Sequence, residues 1–145
     1  MPMLCTDETP QGRALDDELG VQHYLDRFGE ALAANDAKAI AAMWAVPAFV
    51  LGAGKARPVT TRDEVGQFFS GAHEHDNRRG VRYTRADIIR LDPLTDDLVI
   101  VRVRWPYLDA QGQERGGETS TYTLERIEDV WMMRVVVMHG AERMH

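Results

Sequence analysis

A chain of 145 residues has room for one domain of ordinary size, and with 44% hydrophobic residues it can bury a full core. A formal net charge of −6, with the arginines scattered and Arg78-Arg79 their densest pair, argues against a general nucleic-acid binder. No apolar run approaches the ~20 residues of a membrane-spanning helix. The single cysteine, Cys5, cannot close an internal disulfide, and no basic stretch followed by an apolar run marks a signal peptide. The expected setting is a reducing, cytoplasmic one.

Residues 1–13 are polar and contain Pro2, Pro10 and Gly12; they read as a flexible arm in front of a single domain spanning 14–145. From Ala14 onward Leu15, Leu19, Tyr24, Leu25, Phe28 and Leu32 recur at helical spacing, with acidic residues on the opposite side. Asn35 suits a left-handed stop, and Asp36 suits the cap of a short second helix carrying Ile40, Met43 and Trp44. Pro47 is expected to end that helix and open a strand at Ala48–Leu51, with a second short segment around Arg57–Val59. Thr61-Arg62-Asp63-Glu64 is a capping box for a third helix with Val65, Phe68, Phe69 and Ala72 turned inward.

The last third is strand-rich. Val81–Leu91 reads as an irregular strand. In Leu98–Leu108, Val99, Val101, Val103, Trp105 and Tyr107 alternate with Arg102 and Arg104, which is the pattern of a half-buried strand. Glu118–Ile127 and Val130–His139 follow, joined by a two-residue turn at Glu128-Asp129. That turn sets the pairs Arg126–Trp131, Leu124–Met133, Tyr122–Val135, Ser120–Val137 and Glu118–His139 on one face. A three-residue turn at Ala110–Gly112 would then put Trp105 on the wrong side, so a bulge is predicted at Gly116-Gly117. Helices first and a curling antiparallel sheet afterwards is an α+β arrangement.

This order, the segment Trp44-Ala45-Val46-Pro47 and the terminal run from Tyr122 to Met133 resemble the nuclear transport factor 2-like superfamily, also called the SnoaL-like or ketosteroid-isomerase-like fold. The resemblance covers 14–139. It implies a cone in which a strongly curved, mixed and mostly antiparallel sheet wraps three helices around a pocket, with homodimerisation through the outer sheet face. It also implies either cofactor-free isomerase, dehydratase or cyclase chemistry or a non-catalytic binding or dimerisation module. No catalytic motif of the family maps onto this chain, so the candidate residues come from the register alone.

Glu118 and His139 form a carboxylate–imidazole pair suited to proton exchange, and Tyr122 suits donation to a developing oxyanion. Trp44, Phe69, Tyr83, Trp105, Tyr107, Met133 and Val135 are the expected lining for a small hydrophobic molecule. The same residues also serve as ordinary core, and Glu118–His139 can equally be a surface pair at a strand end. His73-Glu74-His75-Asp76 invites a metal reading, but histidines two apart on a helix do not share a face, so neither metal nor cofactor is expected. Gly52-Ala53-Gly54-Lys55 lacks the spacing of a phosphate loop.

Overall fold

In the computed structural model, which describes residues 10–52, 54–67 and 83–141, the first helix, α1, runs Pro10–Ala33. Val21, Tyr24, Leu25, Phe28 and Ala31 form its buried stripe, while Asp26, Arg27 and Glu30 face solvent. Residues 10–13 are already helical, so the expected arm loses its last four residues to α1. Asn35 sits at φ 53° and ends the turn after α1. The Asp36 carboxylate then accepts the Ala39 N–H at 3.1 Å, capping α2, Ala37–Ala42.

The first strand, β1, covers Trp44–Gly52 and starts directly after α2, earlier than the Ala48 expected from Pro47. Proline has no amide for the ladder, and pairing with the last strand accordingly jumps from Trp44 to Phe49 around it. β2 is Lys55–Val59, antiparallel to β1. Residues 62–67 are helical, α3, with Val65 buried. The Thr61 hydroxyl accepts the Glu64 N–H at 3.2 Å, as a capping box requires. The Glu64 carboxylate accepts from the Thr60 hydroxyl at 2.8 Å instead of reaching back to an amide. Phe68, Phe69, Ala72 and the His73–Asp76 run lie outside the described residues.

β3 (Asp87–Thr95), β4 (Leu98–Leu108), β5 (Glu114–Ile127) and β6 (Val130–Ala141) complete a six-stranded sheet in the order β2-β1-β6-β5-β4-β3. Every pairing is antiparallel except β1 with β6. Val99, Val101, Val103, Leu124 and Met133 are fully buried on the concave side, under α1. Gly29 lets the helix come close there: a Cβ at that position would lie 3.1 Å from the Trp105 ring. The architecture is α+β, with a mixed, mostly antiparallel curved sheet.

Three bulges phase β5 and β6, apart from two in β3. Pro106 pairs with Gly117 but Leu108 pairs with Glu114, so β5 carries an extra residue at 115–116, where Gly116 has φ 112°. This is the bulge predicted from Gly116-Gly117, and it puts Trp105 on the Tyr122 side. β6 carries two more. Leu124 pairs with Met133 but Thr123 with Val135, leaving Arg134 extra; Ser120 pairs with Met138 but Thr119 with Gly140, leaving His139 extra. The β4–β5 turn is tied by Asp109, whose carboxylate accepts the Gln111 and Gln113 amides at 2.9 and 3.0 Å and the Arg115 Nε–H at 2.9 Å. The Gln113 amide, then Arg115, hold its carboxyl below the usual range against the opposing effect of burial.

The β5–β6 turn is the two-residue one expected at Glu128-Asp129, with φ of 52° and 65°. Both positions are left-handed, as a type I′ turn demands, and neither is the asparagine or glycine that adopts this conformation cheaply. The double substitution Glu128→Asn with Asp129→Gly should therefore stabilise the protein by about 1 kcal/mol, seen as a higher urea midpoint at unchanged m-value.

Candidate functional site

The concave face has a polar stripe set in an apolar surround. Along β5, Glu118, Ser120 and Tyr122 share this face and pair with Trp105, Val103 and Val101 of β4. Tyr107 donates its hydroxyl to Glu118 Oε2 at 3.0 Å, which restrains a half-buried carboxylate. The Trp105 Nε1–H donates to the Tyr122 hydroxyl oxygen at 2.7 Å. Indole is a donor only, so this bond fixes the phenol as acceptor on that side and directs its own hydrogen elsewhere. The Ser120 hydroxyl lies beside the same phenol. Phe28 of α1 covers the pair, its ring centroid 6.0 Å from Trp105 and 6.5 Å from Tyr122.

Tyr24, also on α1, donates to the Met43 carbonyl at 2.6 Å, and the Met133 amide donates to the same oxygen at 3.1 Å. Helix, helix end and last strand thus meet at one acceptor. Burial pushes the phenols of Tyr24 and Tyr122 well above the ordinary tyrosine value, so both remain neutral hydrogen-bond donors.

The expected constellation is only half assembled. Glu118 and Tyr122 share the concave face. His139 does not: it is exposed, and its Nε2 lies 2.7 Å from the Thr121 hydroxyl on the convex side, while Glu118 pairs with Ala141. The cause is the pair of β6 bulges, each of which shifts the phase by one residue. The same shift takes Val135 to the convex face opposite Thr123 and brings Val136 inward at 4% exposure. Tyr83 is corrected as well. It bridges to Leu108, which pairs with Glu114, and the Glu114 carboxylate binds Arg104 on the convex side; Tyr83 is 55% exposed. Trp44 and Met133 are fully buried core residues, and Trp105 and Tyr107 are buried on the concave face. Phe69 lies outside the described residues.

Register alone assigned no role to Ser120 or Tyr24. Ser120 is a buried hydroxyl between two candidate residues. Tyr24 was visible only as one more residue of an apolar helical stripe. Replacing Tyr122 with phenylalanine would leave the Trp105 N–H buried without an acceptor. Tyr122→Phe should cost about 1–3 kcal/mol of stability in chemical denaturation. The raised folded-state phenols also imply that stability present below pH ~10 declines as the pH climbs above it, because the unfolded chain releases those protons first. In alkaline denaturation Tyr122→Phe should lessen that decline.

The fold has many solved counterparts. A Mycobacterium tuberculosis protein of unknown function superposes with a TM-score of 0.68 at 15% identity, covering 96% of this chain and 79% of that one. Aln2 from a Streptomyces species gives 0.67 at 16% identity, covering 90% and 91%. A proposed scytalone dehydratase from Novosphingobium aromaticivorans gives 0.65 at 15% identity, covering 93% and 92%. No protein of curated function matches the chain. At such identities the likeness speaks for the fold alone. The family comparison is more specific: residues 17–141 match the NTF2-like protein family DUF6841, and the chain belongs to it.

Proposed function

We propose that the concave face of this domain binds a small, largely hydrophobic molecule and acts on it by cofactor-free acid–base chemistry of the isomerase, dehydratase or cyclase kind. One observation carries the reading: a carboxylate held by a tyrosine, Glu118 with Tyr107, stands on the same apolar face as a polarised neutral phenol, Tyr122 with Trp105. A carboxylate in such surroundings can take a proton from carbon next to a carbonyl, and a neutral phenol can donate to the oxygen where charge develops. Glu118 is the base in this scheme, Tyr122 the donor and Tyr107 the positioning residue. His139 has no part. The resemblance of the fold to a proposed scytalone dehydratase is in keeping with such chemistry.

The test is a thermal-shift and calorimetric screen of flat hydrophobic ketones, quinones and their hydroxylated forms. A binder should raise the melting temperature of the wild type by mass action. Glu118→Gln and Tyr122→Phe should each weaken that binder by about tenfold, and Glu118→Gln should also abolish deuterium exchange at the carbon next to its carbonyl. Binding without exchange would leave a non-catalytic ligand carrier, which is the alternative reading. Binding indifferent to both variants would remove the site.

We also propose a homodimer through the convex face. There Ile100, Thr123, Val135 and Phe49 form one row across four strands, and Phe49 is 41% exposed. Light scattering after size exclusion should give twice the chain mass, and Phe49→Asp combined with Val135→Arg should give the monomer without loss of secondary structure.

A further inference from the structure

A separate cavity of about 500 Å³ lies at the other end of the domain from Glu118, where α1, α2 and the beginning of β6 converge. Its size is that of a small-molecule site. It exists because the residues facing it from the helices are small: Ala31 on α1, and Ala39 and Ala42 on α2. Met43 and Trp131 supply a broad apolar floor.

Two charged residues line the cavity from one helix, Arg27 and Glu30. They are three positions apart, a spacing at which opposite charges on a helix commonly pair. They do not pair here: among the described residues no ion pair involves either of them. Tyr24, three residues before Arg27 on the same helix, contributes to the same wall. Asp36 adds a second carboxylate to the lining, with one oxygen engaged by the Ala39 amide. The lining therefore presents an unpaired cation, an unpaired anion one helical turn on, and an apolar trough between helices.

We propose that this cavity binds a free α-amino acid with a large apolar side chain. Its carboxylate meets Arg27, its ammonium meets Glu30 and Asp36, and its side chain lies on Trp131 and Met43 between the alanines. A zwitterionic head group is the one small moiety that answers both charges at once, whereas a simple anion meets the two carboxylates and a simple amine meets the guanidinium. The site is independent of the concave-face chemistry.

Calorimetry on the full chain tests it with L-phenylalanine, phenethylamine, 3-phenylpropionate and L-alanine. Phenylalanine should bind about tenfold tighter than either single-charge analogue, and alanine should give no heat. Arg27→Gln should erase the advantage over phenethylamine, and Glu30→Gln the advantage over 3-phenylpropionate; both positions are exposed, so the fold tolerates them. Ala39→Leu should exclude the three aromatic compounds, whereas Tyr122→Phe should leave phenylalanine binding unchanged. Equal binding of phenylalanine and its two analogues, absence of phenylalanine binding, or indifference to both Arg27→Gln and Glu30→Gln would overturn the proposal.

Discussion

The phase of β6 decides what this molecule offers its interior. A strand turns alternate side chains to opposite faces, so one additional residue exchanges the faces for everything beyond it. The bulge at Arg134 is such a residue. It lies where the Arg134 Nε–H reaches Glu125 Oε1 at 2.8 Å and the guanidinium also meets the Pro47 carbonyl. These contacts link three neighbouring strands at the point where pairing with β1 skips past its proline. Val136 and Met138 then line the concave side, and Val135 and Val137 leave it.

With that phase set, the chemistry of the concave face follows from β4 and β5 alone. Their register needs no bulge between Leu98 and Pro106, so Trp105, Ser120 and Tyr122 gather under α1 by simple alternation, with Glu118 at the edge. Each candidate group is restrained by an aromatic neighbour with a polar atom: Tyr107 for the carboxylate and Trp105 for the phenol. Held hydrogen bonds in apolar surroundings reduce the reorganisation a reacting group must undergo, which gives such a stripe more catalytic value than the same residues in water.

Much of this was legible in the chain, and the failures have a common physical origin. Leu98–Leu108 was readable to the residue because valines alternate with arginines, and the bulge near Gly116 followed from a conflict that only one extra residue could relieve. The Glu128-Asp129 turn was correct, so the first two pairs across it were also correct. Beyond Arg134 the run Val135-Val136-Val137-Met138 is apolar throughout. It has no alternation to show which residues point inward, so a phase change there leaves no trace in hydrophobicity. That silent shift turns Val135 and His139 outward, and the second bulge at His139 carries the partner of Glu118 on to Ala141. Pro47 misled differently: it suggested a boundary, while the strand simply pairs around it. Glu30 belongs to the acidic side of the first helix in sequence, and only the convergence of α2 and β6 shows that it and Arg27 border a cavity.

The parallel ladder between β1 and β6 has a consequence for how the chain is made. The first and last of the six strands in chain order are neighbours in the sheet, and β6 leaves the ribosome after the other five. Until it arrives, β1 and β2 form a hairpin whose inner edge has open amides and carbonyls, flanked by Phe49, Val50 and Leu51. Such long-range closure slows folding and prolongs exposure of that edge. Premature termination or C-terminal trimming into β6 would thus produce a sticky half-sheet rather than a smaller folded domain.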